Sequence, residues 1–184
     1  ELRGAIPARS DLTTFAQDVD GWFWIGTGSN GLFRYHPSSN RFARFSYSPK
    51  PGSLSSNNVS KLLFEDLDRE NFTLWVATPS GLNRLDRRKA RFELVELGSD
   101  KHRDVRAIIS VPAPDLAFPD PRPLGQKRAL WAGTAGEGVF RTNEENKWEM
   151  VWTGDVEVSA LAFRRLPKSG ADGAEPPKTE VWIG

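Results

Sequence analysis

The segment Phe23-Trp24-Ile25-Gly26-Thr27 decides the fold of this chain, because its pattern returns three more times. The other copies are Leu74-Trp75-Val76-Ala77-Thr78, Leu130-Trp131-Ala132-Gly133-Thr134 and Val181-Trp182-Ile183-Gly184. Successive tryptophans are separated by 51, 56 and 51 residues. A period of about 50 residues is typical of propellers and solenoids rather than of a domain with a single core.

The flanks of the tryptophan segment repeat as well. After each of the first three copies come a glycine turn with a second strand (31–35, 81–85, 138–142) and a third strand that opens with a cation and an aromatic residue (41–45, 91–95, 147–151). Before each copy lies a short run rich in branched or aromatic residues (12–16, 59–64, 105–111, 158–163). Four strands in a repeat of about 50 residues predict the blade of a β-propeller.

The sequence therefore predicts an all-β fold of four-stranded antiparallel blades. We place the blades at about 12–46, 57–97 and 104–153, with a half blade at 157–184, so that the whole chain, 1–184, is one partial propeller. Because the last copy stops within its motif and known propellers have at least about four blades, we expect a fragment of a larger propeller.

Two insertions interrupt the compact spacing of the later repeats. Residues 112–123 and 168–178 are rich in proline, which does not suit a central strand, and both join the first strand of a blade to the second. We expect them to be surface loops on one face of the disc. The connection 46–58 joins two blades and is expected on the opposite face.

Composition excludes several classes of partner. The chain is 38% hydrophobic and 27% charged with a formal net charge of +1, so nothing indicates a nucleic-acid partner. It has no run of about 20 apolar residues, and any membrane contact is expected only through segments outside this chain. It has no cysteine, which excludes disulfides and thiolate chemistry.

Three motifs together resemble the two-component regulator propeller repeat. They are the acidic-glycine turn and tryptophan strand (18–27), the Asn30-Gly31-Leu32-Phe33-Arg34-Tyr35 strand, and the linker Ser53-Leu54-Ser55-Ser56-Asn57-Asn58-Val59. The second blade repeats the pattern at 74–86, with Ala77 where the family has glycine. The third blade lacks the acidic-glycine turn, so we expect a remodelled face there.

The resemblance implies a sensor. Such repeats commonly form the extracytoplasmic part of hybrid histidine kinases, on the periplasmic or extracellular side of a bacterial inner membrane, where they sense sugars or other nutrients. The implied partner is a small molecule or an oligosaccharide, and a homodimer is left open. The alternative is a free-standing propeller scaffold or a polysaccharide-acting propeller enzyme, because one fold hosts many functions.

The repeated residues favour structural roles. We expect Trp24, Trp75, Trp131 and Trp182 to wedge between blades, the glycine to allow close backbone approach, and the threonine to bind its turn. Arg34, Arg84 and Arg141 hold one position in three blades and predict a blade-level ion pair or a carbonyl clamp. We take the turn acids Asp18, Asp20, Asp66 and Asp68 as their hypothetical partners.

Catalytic chemistry finds little support. His36 and His102 are the only histidines and lie in different repeats, so a metal site or a histidine-based triad is not expected. The acidic run 65–70 lacks the central glycine of a calcium loop and is interpreted as a solvated hairpin turn. We predict no catalytic residue, metal or cofactor in this segment, and whether the full protein is an enzyme stays open.

A ligand would most naturally contact loops held by the rigid sheets. The candidates are the residues that follow the tryptophan strands: Ser29, Asn30, Ser80 and Glu137.

Overall fold

The computed structural model describes residues 6–66, 72–86, 88–98, 104–112, 128–143, 145–165 and 179–184. In this part of the chain the regular elements are strands and one short 3-10 helix, Pro37–Ser39. The strands are β1 (Leu12–Gln17), β2 (Phe23–Thr27), β3 (Leu32–His36), β4 (Arg41–Phe45), β5 (Lys61–Asp66), β6 (Phe72–Thr78), β7 (Gly81–Asp86), β8 (Arg91–Val95), β9 (Val105–Pro112), β10 (Arg128–Thr134), β11 (Val139–Thr142), β12 (Trp148–Trp152), β13 (Leu161–Arg165) and β14 (Thr179–Ile183).

These strands form three four-stranded antiparallel sheets and one two-stranded sheet, each in chain order. The sheets are β1 to β4, β5 to β8, β9 to β12, and β13 with β14. The predicted all-β fold of four-stranded antiparallel blades is confirmed. Most of the two proline-rich insertions, and His102 and Asp68, lie outside the described residues.

The first two sheets pack through an apolar cluster that they share. Trp24 on β2 is buried against Leu62 on β5 and Leu74 and Val76 on β6, and Phe45 stacks on its ring with centroids 5.7 Å apart. Burying side chains of this size contributes about 1.5–3 kcal/mol each. The repeated tryptophan therefore holds its own blade to the following one, as its wedge role predicts.

The second and third sheets pack together in the same way as the first and second. Trp75 is buried with Ile108 on β9 and Leu130 and Ala132 on β10, while Trp148 meets its ring edge-on at 6.2 Å. The exposed fraction of the repeated tryptophan is 1% at Trp24 and 7% at Trp75, and reaches 56% at Trp182. The tryptophan is buried where a four-stranded sheet follows its own, and Trp131, which is followed by the two-stranded sheet, is half-buried.

A small residue on the tryptophan strand receives an aliphatic side chain from the next blade. A Cβ built on Gly26 would lie 2.7 Å from Val59 Cγ1, and one on Gly133 would lie 2.5 Å from Val158 Cγ1. Both valines are fully buried. The glycines therefore permit the close approach that the sequence predicts. At these junctions a valine side chain of one blade packs directly against the glycine backbone of the blade before it.

Candidate functional site: the turn face

The turns after the tryptophan strands and the starts of the innermost strands lie together at one end of the strands. We call the surface that they form the turn face. Backbone hydrogen bonds join the two features within a blade: Gly28 N donates to Asp11 O at 2.8 Å, and Ala135 N donates to Asp104 O at 2.9 Å. The connection between the first two blades reaches the same place, since Gly31 N donates to Asn57 O at 2.8 Å.

A threonine hydroxyl organises each turn of this face. The hydroxyls of Thr27, Thr78 and Thr134 donate to the carbonyls of Gly31, Gly81 and Gly138 at 2.8, 2.9 and 2.8 Å. All three glycines have positive φ, between 83° and 122°, which a side chain would strain. The predicted bond between threonine and turn is confirmed, and it presents the turn residues in the same way on three blades.

The first blade brings two of the predicted ligand residues together. Asn30 Nδ2 lies 3.3 Å from Ser29 Oγ and 3.1 Å from Ser10 Oγ, while Asn30 N donates to Thr27 Oγ1 at 2.9 Å. Arg44 Nε donates to Asn30 O at 2.9 Å. Asn30 is therefore fixed on both its backbone and its side chain, and Ser29 beside it is exposed.

The other two predicted ligand residues occupy the corresponding turns of the next blades. Ser80 is half-buried, and its backbone N–H donates to Thr78 Oγ1 at 3.1 Å. Glu137 is half-buried in the turn between β10 and β11. The four candidates thus lie in equivalent turns of three blades.

A second polar row, which the sequence reasoning did not single out, lies at the starts of the innermost strands. Each start has a polar residue, a branched apolar residue and a second polar residue: Asp11-Leu12-Thr13, Asn58-Val59-Ser60, Asp104-Val105-Arg106 and Glu157-Val158-Ser159. The apolar residue packs on the preceding blade, as Val59 does on Gly26. The recurrence of this triplet before every tryptophan strand is the signal that could have revealed the row.

An ion pair stands in this row on the third blade. Arg106 Nη2 and Asp104 Oδ2 are 2.6 Å apart, and both side chains are part-buried. The hydrogen bond from Arg106 to Asp104 raises the pKa of the guanidinium, and the charge of Glu157 acts in the same direction. Asp104 Oδ1 and Arg106 Nε have no hydrogen-bond partner within the described part of the chain. Within the described residues, these two atoms of the pair keep unused hydrogen-bonding capacity.

In the described part of the chain, two of the three repeated arginines pair with carboxylates other than the turn acids proposed from the sequence. Arg84 Nη2 pairs with Glu93 Oε2 at 2.9 Å, and Arg141 Nη2 pairs with Glu149 Oε1 at 2.7 Å. Each glutamate lies directly across from its arginine on the outermost strand. A blade-level ion pair is therefore present in two blades. In both, the acid is the residue opposite the arginine on the neighbouring strand and does not come from a turn.

The turn acid Asp18 bonds to a tryptophan instead. Its Oδ2 accepts from Trp24 Nε1 at 2.9 Å, and its Oδ1 accepts from the backbone N–H groups of Trp22 and Asp20. Glu65 serves the second blade in the same way, since Trp75 Nε1 donates to its Oε2 at 3.3 Å. The side chain of Asp66 lies outside the described part, as does the whole of Asp68.

Nothing in the described residues forms a metal site or a histidine-based catalytic group. Among them no three histidine, cysteine or acidic side chains come close enough to hold a metal ion. His36 meets the ring of Trp22 edge-on at 5.0 Å, and its Nε2 lies 3.1 Å from Asp20 O. His36 therefore has a local structural role at the end of β3.

No family model matches the chain, and no curated protein matches it with significance. Among solved structures, it is similar to the extracellular domain of the hybrid two component system BT3049 from B. thetaiotaomicron, with a TM-score of 0.62 and 16% identity over 84% of this chain and 21% of that chain. The extracellular domain of the one component system BT4673 from the same organism gives 0.57 and 22%, over 77% and 17% of the two chains. YCF48 from Cyanidioschyzon merolae gives 0.53 and 17%, over 89% and 49%.

At these identities the comparisons show a shared fold. The chain spans about a fifth of the BT3049 domain and about half of YCF48. Among the described residues, no helix has the length and apolar character needed to span a membrane.

Proposed function

We propose that this chain is part of the ligand-sensing propeller of a bacterial membrane signalling protein of the two-component type, and that it is a member of the two-component regulator propeller family. The likeness of its fold, over 84% of its length, to the extracellular domain of the BT3049 system carries the proposal. The recurring tryptophan strand, which matches W-[IV]-G-T in full at 24–27, and the G-L-x-R motif at 31–34 and 81–84 support it. The chain acts by binding and performs no catalysis itself.

In this role the propeller lies on the periplasmic or extracellular side of the inner membrane. The extracellular neighbours among solved structures support that location. A membrane helix and an output domain, such as a histidine kinase, would belong to other segments of the same protein. Ligand binding is then converted into a signal by reorientation of the propeller.

The turn face is the proposed binding surface. It offers an amide at Asn30, hydroxyls at Ser29 and Ser80, and a carboxylate at Glu137, all set on turns that the threonine hydroxyls hold. The part-buried pair of Asp104 and Arg106 adds a carboxylate and a guanidinium to this face at the start of β9. Such a mixed set suits a ligand with several hydroxyl groups, such as an oligosaccharide, because each hydroxyl can both donate and accept.

Calorimetric titration with a panel of oligosaccharides and monosaccharides tests the proposal. We expect one class to bind, and we expect replacement of Ser29, Asn30, Ser80 and Glu137 together by alanine to weaken its binding at least tenfold. Glu145→Gln is the control, because Glu145 lies in the turn between β11 and β12, at the end of the strands opposite the turn face. Unchanged affinity in the fourfold variant would remove the turn face as the site, and a panel without any binder would reject the ligand class.

The alternative is a free-standing propeller scaffold or a polysaccharide-acting enzyme. Sequencing the encoding gene beyond Gly184 and upstream of Glu1 separates the two. Further repeats followed by a membrane helix and an output domain support the sensor, whereas a stop codon soon after ring closure supports the alternative.

A further inference from the structure

The second and third blades each supply their repeated arginine with a glutamate from the outermost strand. Arg84 Nη2 lies 2.9 Å from Glu93 Oε2, and Arg141 Nη2 lies 2.7 Å from Glu149 Oε1. Solvent reaches both pairs, since the side chains of Glu93 and Glu149 are 34% and 40% exposed. The carboxylate position beside the repeated arginine is therefore one that a dissolved group can enter.

The first blade keeps the arginine and lacks the glutamate. Arg34 pairs in register with Ala43 on β4, whose methyl group provides no acceptor. In the described part of the chain no carboxylate pairs with Arg34. Its Nε is buried without a hydrogen-bond partner, as Arg141 Nε also is, so the difference between the blades lies at the Nη nitrogens. The register partner of Arg34 therefore leaves unfilled the place that a glutamate carboxylate takes in the other two blades.

The ring of Trp22 holds the Arg34 guanidinium in place. Arg34 Cζ lies 4.1 Å from the centroid of Trp22 and 5.5 Å from that of Trp24. A cation–π contact attracts the cation to the ring but offers no oxygen to its N–H donors. Arg34 and Trp22 are both half-buried. Because the guanidinium is already positioned, an anion that binds it causes little further loss of side-chain entropy.

The charged residues near Arg34 leave its donors available. Asp18, the buried acid of the neighbouring turn, uses both carboxylate oxygens, because Oδ2 accepts from Trp24 Nε1 and Oδ1 accepts from backbone N–H groups. Arg41 is exposed and lies two residues before Ala43 on β4, so it is on the same face of the sheet. A second positive charge thus stands on the face that carries Arg34.

We propose that Arg34, held on Trp22, binds the carboxylate of a small organic acid in the place that Ala43 leaves unfilled. A planar guanidinium can bind a carboxylate through two parallel N–H···O bonds. The glutamate pairs of the other two blades show that this position of the fold accommodates a carboxylate. The class includes simple carboxylic acids and uronic acids, which carry a carboxylate on a sugar ring.

This site is separate from the turn face. Trp22 directly precedes β2, at the end of the strands opposite the turn face, and Arg34 lies in the middle of β3. The inference is therefore independent of the ligand proposed for the turn face, and either can fail without the other.

A titration followed by NMR tests the site in the labelled 184-residue chain. On addition of sodium glucuronate or sodium acetate we expect saturable shifts of the Trp22 indole N–H and Ala43 amide signals. Glucose, and sodium chloride at the same ionic strength, should cause none. Equal affinities for the two acids would assign binding to the carboxylate alone, and a higher affinity for glucuronate would add a contribution from the sugar ring. Absence of saturable shifts with both acids, or equal shifts with chloride, overturns the proposal.

Two substitutions should abolish the site by different routes. Arg34→Met removes the donors, and Ala43→Glu supplies an internal carboxylate as Glu93 does in the second blade. We expect each to weaken binding of the two acids at least tenfold. Arg88→Met is the matched control, because it removes the same charge from the exposed turn after β7 and should leave the affinity unchanged. Undiminished binding in Ala43→Glu contradicts the site, and this variant keeps the test decisive where Arg34→Met fails to fold.

Discussion

Arg34 lies directly across the sheet from Ala43, at the register position where the other two complete blades pair an arginine with a glutamate. Because alanine offers no carboxylate, the Arg34 guanidinium lies over the ring of Trp22, 4.1 Å from its centroid. The first blade thus replaces an ion pair with a cation–π contact, and an aromatic side chain from the acidic-glycine turn supplies the partner.

This contact should contribute measurably to stability. A part-buried cation–π pair is worth about 0.5–2 kcal/mol. We expect a double-mutant cycle with Trp22→Leu and Arg34→Met, followed by chemical unfolding, to give a coupling free energy in that range. The cycle of Trp22 with Arg44 is the control, since Arg44 lies over Phe33. Equal coupling in both cycles would mean that the ring of Trp22 does not hold Arg34 specifically.

The ion pair between Arg84 and Glu93 should make stability depend on pH in the acid range. The hydrogen bond from Arg84 lowers the pKa of Glu93 below its ordinary value of 4.5. The stability contributed by the ionised carboxylate is therefore present above that value and is lost as the pH falls through the lower pKa of the folded state.

We expect Glu93→Gln to flatten this acid dependence while leaving the slope above about pH 6 unchanged. Urea unfolding at a series of pH values measures it. Glu180→Gln, at an exposed glutamate on β14, is the matched control. An acid dependence that survives in Glu93→Gln would show that other carboxylates carry it.

Adding one methyl group at a blade junction should destabilise the fold. In Gly26→Ala the new Cβ would lie 2.6 Å from Thr14 Cγ2 and 2.7 Å from Val59 Cγ1. Overpacking of this kind costs about 1–3 kcal/mol. Gly184→Ala, at the corresponding position with an open surface, should cost almost nothing. Thermal unfolding of both variants measures the two changes in stability. Equal losses of stability would contradict the tight contact between Gly26 and Val59.

The bond between Asp18 and Trp24 should be costly to break. Asp18→Ala leaves a buried indole N–H without its acceptor, and an unsatisfied buried donor costs about 1–3 kcal/mol. In a Trp24→Phe background, which has no such donor, the same Asp18→Ala change should cost at least about 1 kcal/mol less. Denaturant unfolding of the four proteins provides the comparison. An undiminished cost in the Trp24→Phe background would assign the role of Asp18 to the turn backbone alone.

The strands and turns could be predicted because their determinants are local. The spacing of Trp24, Trp75 and Trp131 indicated the blades, and the hydroxyl of Thr27 lies within four residues of the carbonyl that it binds. The partner of Arg84 could not be read in the same way. Glu93 faces it only through the register of β7 with β8, and that register depends on the turn between them.

The candidate site was predicted only in part, for a similar reason. Asn30 and Ser80 follow strands that the motif marks, so their place on a turn was evident. Asp104 directly precedes β9 and Arg106 lies within it, in a strand that has no such motif, and they join the same face because Ala135 N of the turn after β10 donates to Asp104 O. Their pairing at 2.6 Å joins residues only two apart, whereas their place beside the turn after β10 is tertiary.

The packing of a valine against glycine backbone bears on how the number of blades can increase during evolution. Val59 on Gly26 and Val158 on Gly133 use the same fit at separate junctions. A duplicate of the third blade, which has both Val105 and Gly133, would therefore bring the valine for the unit before it and the glycine for the unit after it. Gene duplication alone can lengthen the array, and no compensating mutation at the new boundary is required.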